Sequence, residues 1–146
     1  MEPLNLRLQP PRSPRAELGG LLFLARTVDK LRASLPGGDL GEYQLKGFSH
    51  WMLEALGVSE DQLREVVATA ANDDDVVAWV LNNTTAQARE HANAVLLEPT
   101  LASRLERPDF LAKYPVAATL PPELPLLDFL DHDDRACFDK LSMTQG

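Results

Sequence analysis

The most constraining feature of the sequence is an apolar stripe set between two groups of backbone breakers. Gly19-Gly20 precede it and Pro36-Gly37-Gly38 follow it. Between them Leu21, Leu24, Val28, Leu31 and Leu35 recur at steps of three and four. That spacing lines one face of an α-helix. The stripe is too short for a coiled coil, so it predicts one helix of a bundle. Two glycines inside a helix would cost ~2 kcal/mol relative to alanine. Ser13-Pro14 has the form of a helix start, with Ser as N-cap and Pro at the first helical position. The pair therefore predicts a short first turn that breaks at the glycines. The alternative is one helix, with the glycines where another backbone packs close.

Similar stripes follow. Leu45, Phe48, Met52 and Leu56 form a second, closed by Gly57. Ser59-Glu60-Asp61-Gln62 matches a capping box ahead of Leu63, Val66, Val67 and Ala70. Asp73, Asp74 and Asp75 stand before Val76, Val77, Trp79 and Val80, where acids suit the positive end of a helix. Thr84 to Gln87 offers another capping box, ahead of Ala88, Ala92, Val95 and Leu96. After Glu98, prolines punctuate the chain. Short helices are predicted at Leu101 to Leu105, Asp109 to Lys113, Leu126 to Leu130 and Arg135 to Leu141, with an extended strap over 115–125. No stretch alternates convincingly as a strand. The expected fold is all-α: a compact single-domain bundle of about six to eight short helices with a proline-rich C-terminal strap. Residues 1–12 are expected as an extended arm and 13–98 as the helical core domain. Residues 99–146 are expected as short helices and strap packed on that same domain.

Composition narrows the function. The 146 residues carry a formal charge of −8, which argues against a general nucleic-acid binder. The charge is uneven. Residues 1–50 hold seven basic and five acidic side chains, and 51–146 hold seven basic and seventeen acidic. Within 7–32 there are six basic side chains and two acidic. No window is apolar enough for a bilayer, and no signal peptide is legible at the start. The single Cys137 fits a reducing compartment, so a cytoplasmic location is expected.

Several blocks taken together resemble a family. These are Ser13-Pro14-Arg15, Leu18-Gly19-Gly20, Arg26-Thr27-Val28-Asp29-Lys30-Leu31-Arg32-Ala33, Gly41-Glu42-Tyr43 and the stretch Asp75 to Trp79. They are similar to a bacterial family known as domain of unknown function 5069, over residues 7–97. The Arg-x-x-Asp-Lys-x-Arg-Ala block after a double glycine is the most specific part. The resemblance implies a small, soluble, helical bacterial protein and carries no catalytic assignment. The chain departs from the family pattern around Lys46 to Trp51, and at Ala25, where relatives often have proline.

Read from the residues themselves, the richest cluster is Arg26, Asp29, Lys30 and Arg32. On a helix Asp29 lies three residues from both Arg26 and Arg32, and Lys30 lies four from Arg26. Three cations around one carboxylate leave spare donors for an anion, with Asp29 as orienter. The plainer reading is an ion-pair network that ties this helix to the acidic half of the chain. Arg12 and Arg15 would extend the basic surface or be solvated charge beside the arm. Tyr43, Phe48, Trp51 and Trp79 read as core aromatics or as the lining of an apolar pocket, with Tyr43 the one to offer a proton. His50, His91 and His132 lack metal-ligand spacing. Asp131-His132-Asp133-Asp134 reads as a solvated helix start, and Cys137 has no base on its own helical face.

Two functions fit these residues. One is a binder of an anionic small molecule in a pocket between helices, or an enzyme working there without a cofactor. In it Arg26, Lys30 and Arg32 hold the ligand, and Asp29 and Tyr43 are the candidate catalytic groups. The other is a protein-interaction or regulatory module with no catalysis, docking a protein partner. Neither needs a metal or cofactor, and nucleic acid and membrane are not expected partners.

Overall fold

The computed structural model describes the backbone of residues 1–145 and the side chains of residues 1–138. The described elements are helical: α1 (Leu24–Ala33), α2 (Phe48–Leu56), α3 (Glu60–Thr69), α4 (Asp73–Asn83), α5 (Ala86–Leu97), α6 (Ala102–Leu105), α7 (Phe110–Lys113), a 3-10 segment (Pro115–Thr119) and α8 (Leu126–Gln145). Isolated bridges pair single residues, and no strand is formed among the described residues. The chain divides into two compact units, Met1–Leu96 and Leu97–Gly146.

The first unit is organised around α1. Leu21, Leu24, Val28 and Leu31 are at most 1% exposed, as the stripe requires. The helix is buried well beyond that stripe, because nine of its ten residues lie inside. α1 packs on α3, and α3 on α4. Residues 1–12 do not stand apart from this core. Leu6 is buried, and its N–H donates to Asp39 O (2.8 Å), while Asp39 N–H donates to Leu4 O (3.0 Å). Arg32 Nε reaches Glu2 O at 2.8 Å. Backbone groups that would be orphaned in a loose arm are satisfied along the loop after α1.

The short turn expected at Ser13-Pro14 forms, with Ala16 N–H donating to Ser13 O at 3.0 Å, and it does not run on as a helix. The reason lies at the double glycine. Gly19 and Gly20 take φ of +58° and +79°, and Leu18 and Leu21 exchange two backbone hydrogen bonds around them. A Cβ on Gly19 would stand 2.9 Å from Val77 Cγ1, so a neighbouring side chain also occupies the space. α1 then starts only at Leu24, after Phe23.

The later boundaries follow local chemistry. Gly57 closes α2 in the left-handed conformation, φ 74°. Both hydrogen bonds of the Ser59–Gln62 capping box are made. The Asn72 side chain caps α4 by accepting from Asp75 N–H, which leaves Asp73 to Asp75 in the first turn. The box expected over Thr84 to Gln87 is not made, and Thr85 supplies a single side-chain cap instead. Thr85 Oγ1 accepts from Ala88 N–H (3.0 Å), while Thr84 Oγ1 donates back to Val80 O (2.6 Å) at the end of α4. Adjacent threonines serve adjacent helix ends, and the sequence pattern alone does not say which serves which.

In the second unit the strap returns to the segment before α6. Leu101 N–H donates to Leu124 O, Ala102 N–H to Pro122 O and Leu126 N–H to Pro99 O, at 2.8–2.9 Å. Residues 115–125 are not wholly extended, since Pro115–Thr119 is a 3-10 helix with Pro at its start. Phe110, Tyr114 and Phe129 pack ring to ring, with centroids 4.9–5.7 Å apart. The two helices expected after Pro125 are one, α8. Asp131 to Asp134 therefore lie within a helix, not at its start, and Asp134 is buried. No Pro or Gly falls between Leu126 and Gln145, so nothing in the sequence there forces a break.

Candidate functional site

α1 carries the charged block into the interior. Arg26, Asp29 and Lys30 are 2%, 4% and 6% exposed, and Thr27 is fully buried with its hydroxyl 3.0 Å from that of Ser49 on α2. Buried charge is costly unless matched by partners. The partners divide the block in two.

Asp29 is matched chiefly by Arg12. Its carboxylate accepts from Arg12 N–H (2.8 Å), Nε (3.1 and 3.3 Å) and Nη2 (3.1 Å). The same guanidinium donates to both oxygens of Asp73 at the start of α4, at 2.8 and 3.1 Å. Burial by itself would lower the Arg12 pKa, but hydrogen bonding and attraction from Asp73 and Asp29 outweigh it and hold the pKa above its ordinary value. Arg32, expected as a near partner of Asp29, has Nη1 3.9 Å from Oδ1 and directs its Nε to Glu2 O. Arg12 thus clamps α1 to α4 from the N-terminal segment. Sequence spacing had ranked neighbours on the same helix first, and a residue 17 positions away supplies most of the bonds.

Arg26 and Lys30 form the other half. Arg26 Nη1 donates to Arg12 O (3.3 Å), and Lys30 Nζ to Gln44 O (3.0 Å). Both cations lie over the Phe23 ring, with Arg26 Cζ 5.8 Å and Lys30 Nζ 5.4 Å from its centroid. Arg26 Cζ is also 5.5 Å from the centroid of Tyr43, which is half-buried just before α2. Phe23 was not singled out from sequence. It is 1% exposed and has φ 69°, the only non-glycine residue with positive φ among the described residues. A bulky side chain held in that region stores strain that its surroundings must offset. The only sequence clue was its place just after the double-glycine turn.

The aromatic expectation is met in part. Phe23 stacks on Phe48 (5.4 Å), and Phe48 meets Trp51 edge to face (5.1 Å, 80°). Trp79, on α4, joins neither contact. Arg15 lies in the 13–16 turn and is exposed. His50 is on the surface of α2, 3.6 Å from Glu54, and Cys137 is an exposed thiol. Among the described residues no group of three or more His, Cys, Asp and Glu side chains is placed to hold a metal ion. A groove of about 410 Å³ between α2 and α5 is lined by Trp51, Glu54, Ala55, His91 and Val95. Its lining does not include Arg26, Lys30 or Arg32.

The class defined by these features is an all-helical domain with a charged, aromatic-backed central helix. The chain belongs to a family described as a domain of unknown function, DUF5069, whose model matches residues 8–101. The match contains every residue of the Arg12, Asp29 and Asp73 clamp and of the Phe23, Arg26, Lys30 and Tyr43 cluster. No curated protein matches the chain. No described helix is long and apolar enough to cross a membrane.

Proposed function

We propose that the first unit recognises an anionic small molecule, a carboxylate or phosphate, through Arg26 and Lys30, with Tyr43 at the edge of the site. The observation that carries this reading is the convergence of two buried cations, one helical turn apart, on the strained Phe23 ring. Strain of this kind collects at ligand sites. Contact with aromatic faces holds the guanidinium and the ammonium in place, and both groups carry the charge that attracts an anion. Arg32 turns toward Glu2 and contributes charge at longer range. Asp29 belongs to the Arg12 clamp and acts as a positioning residue for α1. The Tyr43 hydroxyl is the group suited to donate or move a proton if the site is catalytic.

The test is a thermal-shift panel of small carboxylates and inorganic phosphate. At least one should raise Tm at millimolar concentration, and Arg26→Gln and Lys30→Met should each remove the shift. A flat panel, or a shift that survives both substitutions, contradicts the reading. The alternative, a protein-interaction module without catalysis, gains support if the panel is flat and a specific protein co-purifies with the chain.

A further inference from the structure

The groove between α2 and α5 has a chemistry opposite to that of the Arg26 and Lys30 cluster. One wall is built by Trp51, Glu54 and Ala55, which stand at helical steps of three and four on α2. The other is built by His91 and Val95, four residues apart on α5. Its volume of about 410 Å³ suits a molecule with one ring and a short substituent. The Trp51 ring is held by a T-shaped contact with Phe48, with centroids 5.1 Å apart. Glu54 is the carboxylate of the lining, and its side chain is 75% exposed even with His50 nearby. An indole face, a carboxylate within one turn of it, and an aliphatic wall form the combination that selects an organic cation. Ala55 and Val95 supply apolar surface for the body of the ligand, and His91 adds a polar edge.

We propose that this groove is a second binding site, taking a small organic cation: an amine or quaternary ammonium group carried on an apolar or aromatic body. The ammonium sits against Trp51 and Glu54, and the apolar body lies along Ala55 and Val95. No covalent step is involved. The site shares no residue with the proposed anion site, so either can stand without the other.

The experiment uses the full chain with Trp79→Phe, which leaves Trp51 as the one tryptophan of the two in the sequence. Its fluorescence is followed during titration with benzyltrimethylammonium, and in parallel with phenylacetate and benzyl alcohol. The account expects a saturable change with the cation alone, and an affinity about two- to fivefold weaker in Glu54→Gln, the size of one exposed charge contact. Val95→Trp, which fills the groove, should abolish the change. Should Trp79→Phe fold poorly, the unaltered chain labelled with 5-fluorotryptophan gives the same reading from the Trp51 fluorine resonance. The proposal is overturned if no saturable change occurs, if the anion or alcohol titrates equally well, or if Glu54→Gln binds the cation as tightly.

Discussion

Helices α1 and α5 are of similar length, and they use their residues in opposite ways. α1 buries nine of ten residues, four of them polar or charged. α5 buries only Ala92 and Leu96 of its twelve. α5 follows the ordinary rule of one apolar stripe against the core and a solvated remainder. In α1 the stripe faces the core while Arg26, Thr27, Asp29 and Lys30 are also taken inside, so each polar side chain must find a fixed partner. The contrast teaches that a central helix acquires chemistry through burial, because charges that cannot reach water are positioned by carbonyls, rings and one distant arginine.

The comparison can be broken most forcefully at the stripe. Leu31→Ala should cost about 3–4 kcal/mol in urea unfolding. Val95→Ala on half-buried α5 should cost about 1 kcal/mol. Equal losses at the two sites would remove the distinction. Asp29→Asn should come next, at about 2 kcal/mol. This is below the range for a fully buried pair, because Arg12 is partly exposed. A companion Asp73→Asn should cost less, its carboxylate being more exposed than that of Asp29. Thr27→Val should cost about 1–2 kcal/mol by stranding the buried Ser49 hydroxyl. Adding Ser49→Ala should recover part of that loss, and strict additivity would show that the two hydroxyls do not depend on each other.

Much of the first unit was legible because its signals are local. Gly57, the Ser59 capping box and the Leu21 to Leu31 stripe each act within one or two turns, and each stands where the pattern places it. The misreadings arise where a local pattern competes with another contact, near or distant in the chain. Ser13-Pro14 has the chemistry of a helix start, but Leu18 and Leu21 close a turn and Phe23 must adopt a left-handed backbone before α1 can begin. The Arg26, Asp29, Lys30 and Arg32 block was visible as a cluster. Its division into a clamp and a ring-backed pair was not, because Arg12 and Asp73 belong to other segments and spacing does not show the left-handed backbone of Phe23. The groove residues Trp51 and His91 are 40 positions apart, so nothing in the sequence links them.

The smallest expected effect concerns acid stability and sharpens the contrast between interior and surface charge. The Asp39 carboxylate accepts from Gly41 N–H and then from Arg7, and both interactions hold its pKa below the ordinary 3.8. A carboxylate with a lowered folded pKa contributes stability that is complete above 3.8 and is lost as pH falls through the lower folded value. Asp39→Asn should therefore lower stability slightly at neutral pH, with the difference from the parent protein shrinking as pH falls, so that the acid limb of the stability curve is flatter. A difference from the parent that persists unchanged at the most acid end of the curve would contradict that origin.

The most direct test of the account is a titration of the protein, labelled at its arginine guanidinium groups, with acetate and inorganic phosphate, followed by NMR. The account predicts a saturable movement of the Arg26 Nε–H resonance, with Arg64, which is paired to Glu60 and Asp61 on its own helix, unmoved. An Arg26 resonance that stays fixed, or one that drifts in step with Arg64 without saturating, would contradict it.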